Sequence, residues 1–220
     1  MEQMNYSAVI FDLDGTLLDT LDDLADACNR ILAAAGLPNH PIDQYRYYVG
    51  DGLPTLIQRI LPEDLRDEKH VREFANTFRQ DYIMNWKVKT RLYEGIETML
   101  NSLQNMNISL NVLSNKPHEF TELCVQNFLG SWSFDVVLGQ KDGVAKKPDP
   151  AGALDIAGKI RVAPADMLYV GDTATDMQTA LAAGMFPVGA LWGFRTEDEL
   201  RQNGAGLLIG QPQELIQWLS

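Results

Sequence analysis

Basic residues are scarce in this 220-residue sequence. Eighteen Lys and Arg stand against 30 Asp and Glu, a formal net charge of −12. A surface with that bias repels phosphate backbones and anionic bilayers, so neither nucleic acid nor a membrane is an expected partner. Long hydrophobic runs are missing as well. The longest candidate, residues 183–194, is broken by Gly184, Pro187, Gly189 and Gly193 and is too short to span a bilayer. The opening residues, MEQMNY, show no basic segment followed by an apolar one, so they do not read as a signal peptide. Only two cysteines occur, Cys28 and Cys124, each alone in a helix-like stretch. They read as buried free thiols, and a reducing cytoplasm is the expected location. His40, His70 and His118 lack ligand spacing and read as surface or loop residues. What remains is ordinary globular composition, 45% hydrophobic and 22% charged, enough to bury a core.

From Glu94 onward, strand-like and helix-like segments alternate. ISLNVLSN (108–115), FDVVLG (134–139), DMLYVGD (166–172), FPVGAL (186–191) and GLLIG (206–210) read as strands, with helical stretches between them. The strands are near-continuous apolar runs, as expected where helices cover both faces of a parallel sheet. The predicted fold class is α/β, a doubly wound parallel-sheet (Rossmann-like) core. Between Leu18 and Thr90 the period changes. Leu17, Leu21, Leu24, Cys28, Ile31 and Leu32 fall on a helical stripe ended by Gly36 and Pro38, and further helical stretches follow around 54–61 and 68–86 with no convincing strand. The expected organisation is a core of residues 1–17 plus 89–220, with an all-helical insertion of residues 18–88 after the first strand.

One short stretch resists a purely structural reading. In VIFDLDGTLLDT (9–20) an apolar strand runs into Asp12 and Asp14. Alternate side chains of an extended segment share a face, so the two acids can meet one small space. In an open parallel sheet, functional groups gather beyond the C-terminal strand ends. Two other strands end in polar residues there: Ser114-Asn115-Lys116, and GDTATD with Asp172 and Asp176. KKPDP, with Lys147 before Pro148, lies between them. Asp and Ser also serve simply as turn and capping residues, but several carboxylates in one crevice repel each other by about 4 kcal/mol per contact at 4 Å and an effective dielectric of 20. A divalent cation relieves that cost, and an all-oxygen site suits Mg²⁺. A hydroxyl, an amide and a lysine nearby supply donors for a phosphoryl group.

DLDGTLLDT, LSNK, KKPDP and GDTATD, in this order, resemble the haloacid dehalogenase (HAD) superfamily of aspartate-nucleophile phosphatases. The chain is most similar to the phosphoglycolate phosphatase-like branch, whose helical C1 cap the insertion matches. The resemblance implies an Mg²⁺-dependent phosphatase of a small phosphorylated metabolite, phosphoglycolate being one candidate. It implies Asp12 as nucleophile and metal ligand, and Asp14 as general acid and base with its carbonyl on the metal. It further implies Ser114 and Asn115 at the phosphoryl group, Lys147 as charge balance, Asp172 as metal ligand and Asp176 as support. Of the paired lysines, Lys147 is chosen because the family places Lys directly before Pro; Lys146 reads as a solvated bystander. Gly50 and Gly52 of VGDGLP resemble a cap loop that approaches the substrate. A monomer or weak homodimer is expected. A phosphomutase built from the same parts and a non-catalytic, receiver-like phosphoaspartate protein remain as alternatives. Asp14 and Asp172 speak against a dehalogenase, which lacks the second acid and needs no metal.

Overall fold

The computed structural model describes residues 6–220. Strand β1 (Ala8–Phe11) is buried along its whole length and leads into a second short strand, β2 (Leu18–Asp19). Helices α1 (Leu21–Ala34), α2 (Tyr45–Tyr48), α3 (Leu53–Ile60) and α4 (Glu68–Asn85) follow. The chain returns through β3 (Arg91–Leu92) and α5 (Ile96–Asn105). After that come β4 (Ser109–Pro117), α6 (His118–Phe128), β5 (Phe134–Gln140), α7 (Ala151–Ile160), β6 (Met167–Gly171) and α8 (Ala174–Ala183). β7 (Phe186–Ala190), α9 (Glu197–Gln202), β8 (Leu207–Ile209) and α10 (Pro212–Leu219) complete the chain.

Six strands form one parallel sheet in the order β5-β4-β1-β6-β7-β8. The chain moves outward from β1 on one side and then restarts on the other. The reversal point therefore lies between β1 and β6, where a doubly wound sheet opens a crevice at its C-terminal edge. Register places Phe11 beside Val112 and Val170, so the residues after these three meet at one level.

The two faces sort by strand alternation. Val9, Phe11, Leu110, Val112, Leu168 and Val170 join one apolar cluster, packed by residues of α5 and α6 such as Met99, Leu103 and Phe120. Ala8, Ile10, Met167 and Tyr169 join the other, covered by α7 and α8 through Ala153, Ile156 and Ala180. Burial on both faces explains why these strands read as unbroken apolar runs. The helical segment packs through Leu24, Cys28, Ile57, Phe78 and Tyr82, and its apolar residues are continuous with the first cluster. Cys28 and Cys124 are buried and unpaired, as expected.

The structure departs from the expected helical insertion at its start. Leu17 precedes the helix rather than lying on it, because Leu18–Asp19 pairs antiparallel with Arg91–Leu92 before α1 begins at Leu21. Two-residue strands carry no readable period, so this ribbon leaves no pattern in the sequence. Among the described residues, no helix is long and apolar enough to cross a membrane.

Candidate active site

β1 ends at Phe11, and the next backbone N–H, of Asp12, still donates to Val170 O on β6 (2.9 Å). That bond fixes Asp12 at the sheet reversal. Gly15 then turns the chain with φ +90°, and a Cβ there would lie 2.4 Å from Asp172 Oδ2. Gly193 also packs closely against this side chain, where a Cβ would stand 2.2 Å from the Cβ of Asp172. Two glycines thus let backbone close around one buried carboxylate. Asp172 Oδ1 accepts from Thr16 Oγ1 (2.9 Å) and Oδ2 from the Phe194 N–H (2.8 Å). We expect Gly193→Ala to push Asp172 aside and to cost about 1–3 kcal/mol of stability through overpacking, read by urea denaturation.

Carboxylate oxygens of Asp12, Asp172 and Asp176 lie within 4.8 Å of one another, and all three side chains are buried. One cation faces them. Lys147 Nζ is 2.6 Å from Asp176 Oδ1 and 3.0 Å from Asp12 Oδ1. Burial alone would lower the lysine's pKa, but Asp12 and Asp176 outweigh it and hold the ammonium charged. Asp176 is fully engaged: it also accepts from Thr173 N (3.1 Å) and Oγ1 (2.6 Å), in the capping box that starts α8. Asp12 Oδ1, despite its ion pair, takes no well-directed hydrogen bond. These three acids with one lysine leave an excess of buried negative charge. Burial pushes Asp12 up to about 7 against the pull of Lys147, with Asp176 and Asp14 adding to the rise. Burial, then Asp176 and Asp12, push Asp172 up to about 8. An oxygen-only cluster with an unsatisfied carboxylate oxygen and surplus negative charge fits a hard divalent cation such as Mg²⁺.

That surplus sets a pH dependence. Both carboxylates hold protons more tightly folded than unfolded, so without metal the native state binds more protons. Stability from this source therefore falls as pH rises from about 4 to about 8. A divalent cation bound by these carboxylates would replace those protons. The increase in Tm on adding Mg²⁺ should accordingly be larger at about pH 8 than at about pH 6, read by thermal unfolding with Mg²⁺ against EDTA. An increase that shrinks as pH rises would contradict the cluster's assignment.

Asp14 belongs to a different set of groups. It accepts from Thr20 Oγ1 (2.8 Å) and from Lys116 Nζ (3.0 and 3.2 Å). Thr20 occupies the N-cap of α1 without capping it, because its hydroxyl is directed to Asp14 instead. Lys116 Nζ also donates to the Tyr82 hydroxyl of α4 (3.0 Å). Ser114 is buried and lines the same cavity, its Oγ accepting from Lys116 N (3.3 Å). Asn115 lines it too, but its amide is committed to holding loops. Its Nδ2 donates to Gly50 O (3.1 Å) and Lys147 O (3.2 Å), while Oδ1 accepts from Lys147 N (2.9 Å).

Asp12, Asp14, Ser114, Asn115 and Lys116 line a cavity closed mainly by apolar side chains, including Leu24, Leu53, Leu56 and Phe78. Gly50 and Gly52 line it as well. Lys146 does not behave as a bystander. It is exposed, yet its Nζ bonds Asp51 O (2.5 Å) and Thr55 Oγ1 (3.1 Å), tying the Lys147 loop to the start of α3. The histidines lie elsewhere. His40 bonds Ile60 O (2.8 Å), His70 bonds Asp67, and His118 accepts from Gly139 N (3.1 Å). Three contributors carried no expected role: Lys116, Tyr82 and Thr20. Lys116 stands at the crevice without a role of its own and a tyrosine on an amphipathic helix reads as core, so their hydrogen bonds around Asp14 and Lys116 reveal them.

A doubly wound sheet with a buried acid cluster and a lysine at its reversal point places a polar site where α/β folds bind their ligands. The chain belongs to the haloacid dehalogenase-like hydrolases, whose family model matches residues 9–190. Among curated proteins it is 36% identical to a phosphoglycolate phosphatase of Xylella fastidiosa, covering 94% of this chain and 90% of that one. It is also 36% identical to that of Nitrosospira multiformis, covering 80% and 79%. A crystal structure described as a predicted phosphoglycolate phosphatase from Haemophilus somnus superposes with a TM-score of 0.90 at 26% identity, covering 98% and 99%. These relatives group the chain with the family's phosphatases, hydrolases of phosphate monoesters.

Proposed function

We propose that this protein hydrolyses a small phosphate monoester, phosphoglycolate being the leading candidate, through a phosphorylated Asp12. The observation that carries the reading is the separation of the D-x-D pair. Asp12 sits in the acid cluster beside Lys147, while Asp14 faces the cavity and sits apart from that cluster. One acid is thereby set to attack and the other to handle a proton.

Asp12, the Asp14 carbonyl and Asp172 are the residues suited to hold Mg²⁺, which when bound would neutralise the cluster and polarise the phosphoryl oxygens. Lys147 would stabilise negative charge on Asp12 and on the transferring group, and the Ser114 hydroxyl would hold a phosphoryl oxygen. The Asp12 carboxylate would form a bond to phosphorus as the ester P–O bond breaks. Asp14 would give its proton to the departing alkoxide, then take one from the water that attacks the phosphorus of phospho-Asp12 and frees inorganic phosphate. Residues 18–88 would act as a cap, and their apolar wall over the cavity would exclude bulk water and large substrates.

The test is inorganic phosphate release from a panel of phosphorylated metabolites, with Mg²⁺ and with EDTA. Mg²⁺-dependent release from phosphoglycolate, with no activating bisphosphate required, is the expected result. Failure to cleave any phosphoester with metal supplied would sink the reading, and a requirement for a sugar bisphosphate would point to a phosphomutase.

A further inference from the structure

The two oxygens of Asp14 are held unequally. Oδ1 accepts from Thr20 Oγ1 (2.8 Å) and from Lys116 Nζ (3.0 Å), whereas Oδ2 has Lys116 Nζ alone, at 3.2 Å. Oδ1 is thereby occupied as an acceptor from two sides, and Oδ2 is the oxygen left to carry a proton. Lys116 is the pivot of this arrangement, yet a lysine is a loose one, a point charge on a flexible four-carbon stem. Here the stem is held at both ends. Thr121 Oγ1 donates to the Lys116 carbonyl (3.2 Å), and Nζ gives its third N–H to the Tyr82 hydroxyl of α4 (3.0 Å).

Tyr82 is a rigid anchor. It is buried, its ring stacks on Phe78 (centroids 5.1 Å apart, 17° between planes) and meets Phe120 of α6 edge-on (5.0 Å, 83°). The ring centroid lies 4.9 Å from Nζ, within reach of a cation–π contact. Among the described residues the Tyr82 hydroxyl has no hydrogen-bond partner besides Lys116.

We infer that Tyr82 is a positioning residue for proton transfer: by pinning Lys116 it keeps Oδ1 of Asp14 occupied and aims Oδ2 at the leaving oxygen. This rests on the reading of Asp14 as acid and base, and adds what sets its aim. The proton on Oδ2 passes to the ester oxygen as that oxygen's bond to phosphorus breaks. The alcohol departs neutral, and the carboxylate left behind faces the Lys116 ammonium, which stabilises it. The helical segment therefore contributes to the chemistry through α4, beyond covering the cavity.

Two esters of nearly equal size separate aim from fold and from binding. Ethyl phosphate releases an alkoxide, which needs a proton to leave; acetyl phosphate releases acetate, which does not. With Mg²⁺ supplied, kcat/KM for each reports the step in which that group departs. Tyr82→Phe keeps the ring and removes the anchor. Its kcat/KM for ethyl phosphate should fall by about 10-fold, a part of the roughly 10²- to 10⁴-fold that a placed acid supplies, and for acetyl phosphate by no more than about 2-fold. Equal losses on the two esters would make Tyr82 a packing or binding residue and overturn the inference, as would a Tyr82→Phe protein that does not fold. A double-mutant cycle on phosphoglycolate gives an independent reading. Lys116→Met should lower kcat more than Tyr82→Phe does, and the double variant should be no slower than Lys116→Met, because nothing is left to pin. Losses that multiply, or that fall on KM, would mean that Tyr82 acts by another route and would likewise overturn it. Should the wild type turn over phosphoglycolate alone, the cycle decides; should Lys116→Met not fold, the ester pair decides. A wild type that cleaves none of the three esters fails the phosphatase reading first, a separate result.

Discussion

Asp12→Asn is expected to lower kcat by about 10⁵-fold, because the amide cannot form the proposed covalent phosphoenzyme, which would divide the reaction into two steps. The loss should come without unfolding. Asp12 is one of three clustered buried carboxylates, two of which share Lys147, and burial together with Asp176 and Asp14 already works against its charge. Removing that charge relieves repulsion at Asp172 and Asp176, so in EDTA the variant's Tm should equal or exceed the wild type's. Activity and thermal unfolding measured on the same preparation give both halves. A variant that is both inactive and strongly destabilised would make Asp12 a structural residue, and one that retains turnover would remove it from the chemistry.

Lys147→Met should fail on both counts. Its ammonium bridges Asp12 and Asp176 at 3.0 and 2.6 Å, and no other cation contacts either carboxylate among the described residues. Truncating one partner of a buried ion pair costs about 3–5 kcal/mol, since the remaining charge stays desolvated and unpaired. Loss of a donor aimed at developing charge costs a further factor of about 10²–10³ in kcat. Mg²⁺ should recover part of the stability and little of the rate, because a metal can neutralise the cluster but cannot replace the lysine's position beside Asp176. Urea denaturation with and without Mg²⁺, together with steady-state kinetics, measures these separately. Wild-type stability in Lys147→Met would mean that the carboxylates are compensated by protons alone.

The sheet and its crevice were readable because burial on both faces writes a distinctive pattern. Strands such as Ala8–Phe11 and Met167–Gly171 have no polar face to hide, and each apolar run stops where a carboxylate begins. The clustering of the acids followed from the same pattern, because an Asp directly after such a run lies at the C-terminal edge of the sheet, where the strand ends converge. Contacts between distant segments were not readable. Lys116 was placed at the crevice beside Ser114 and Asn115, but its partners, Tyr82 of α4 and Asp14, come from segments far from it in sequence. Asn115 was expected at the phosphoryl group, yet its amide spans Gly50 and Lys147, a geometry set by two loops far apart in sequence. Lys146 looked dispensable beside Lys147, because nothing near it in the chain announces Asp51 and Thr55. Local pattern records what a residue is buried against, whereas which loop it ties down depends on how the helical segment folds over the sheet.

The proposed covalent step at Asp12 has a direct readout. Borohydride reduces an acyl phosphate to an alcohol, so wild-type protein quenched during turnover of phosphoglycolate with Mg²⁺ should yield a peptide in which position 12 has become homoserine. The same peptide should be unmodified without substrate. Reduction at another acid, or continued turnover with none at position 12, would contradict the account.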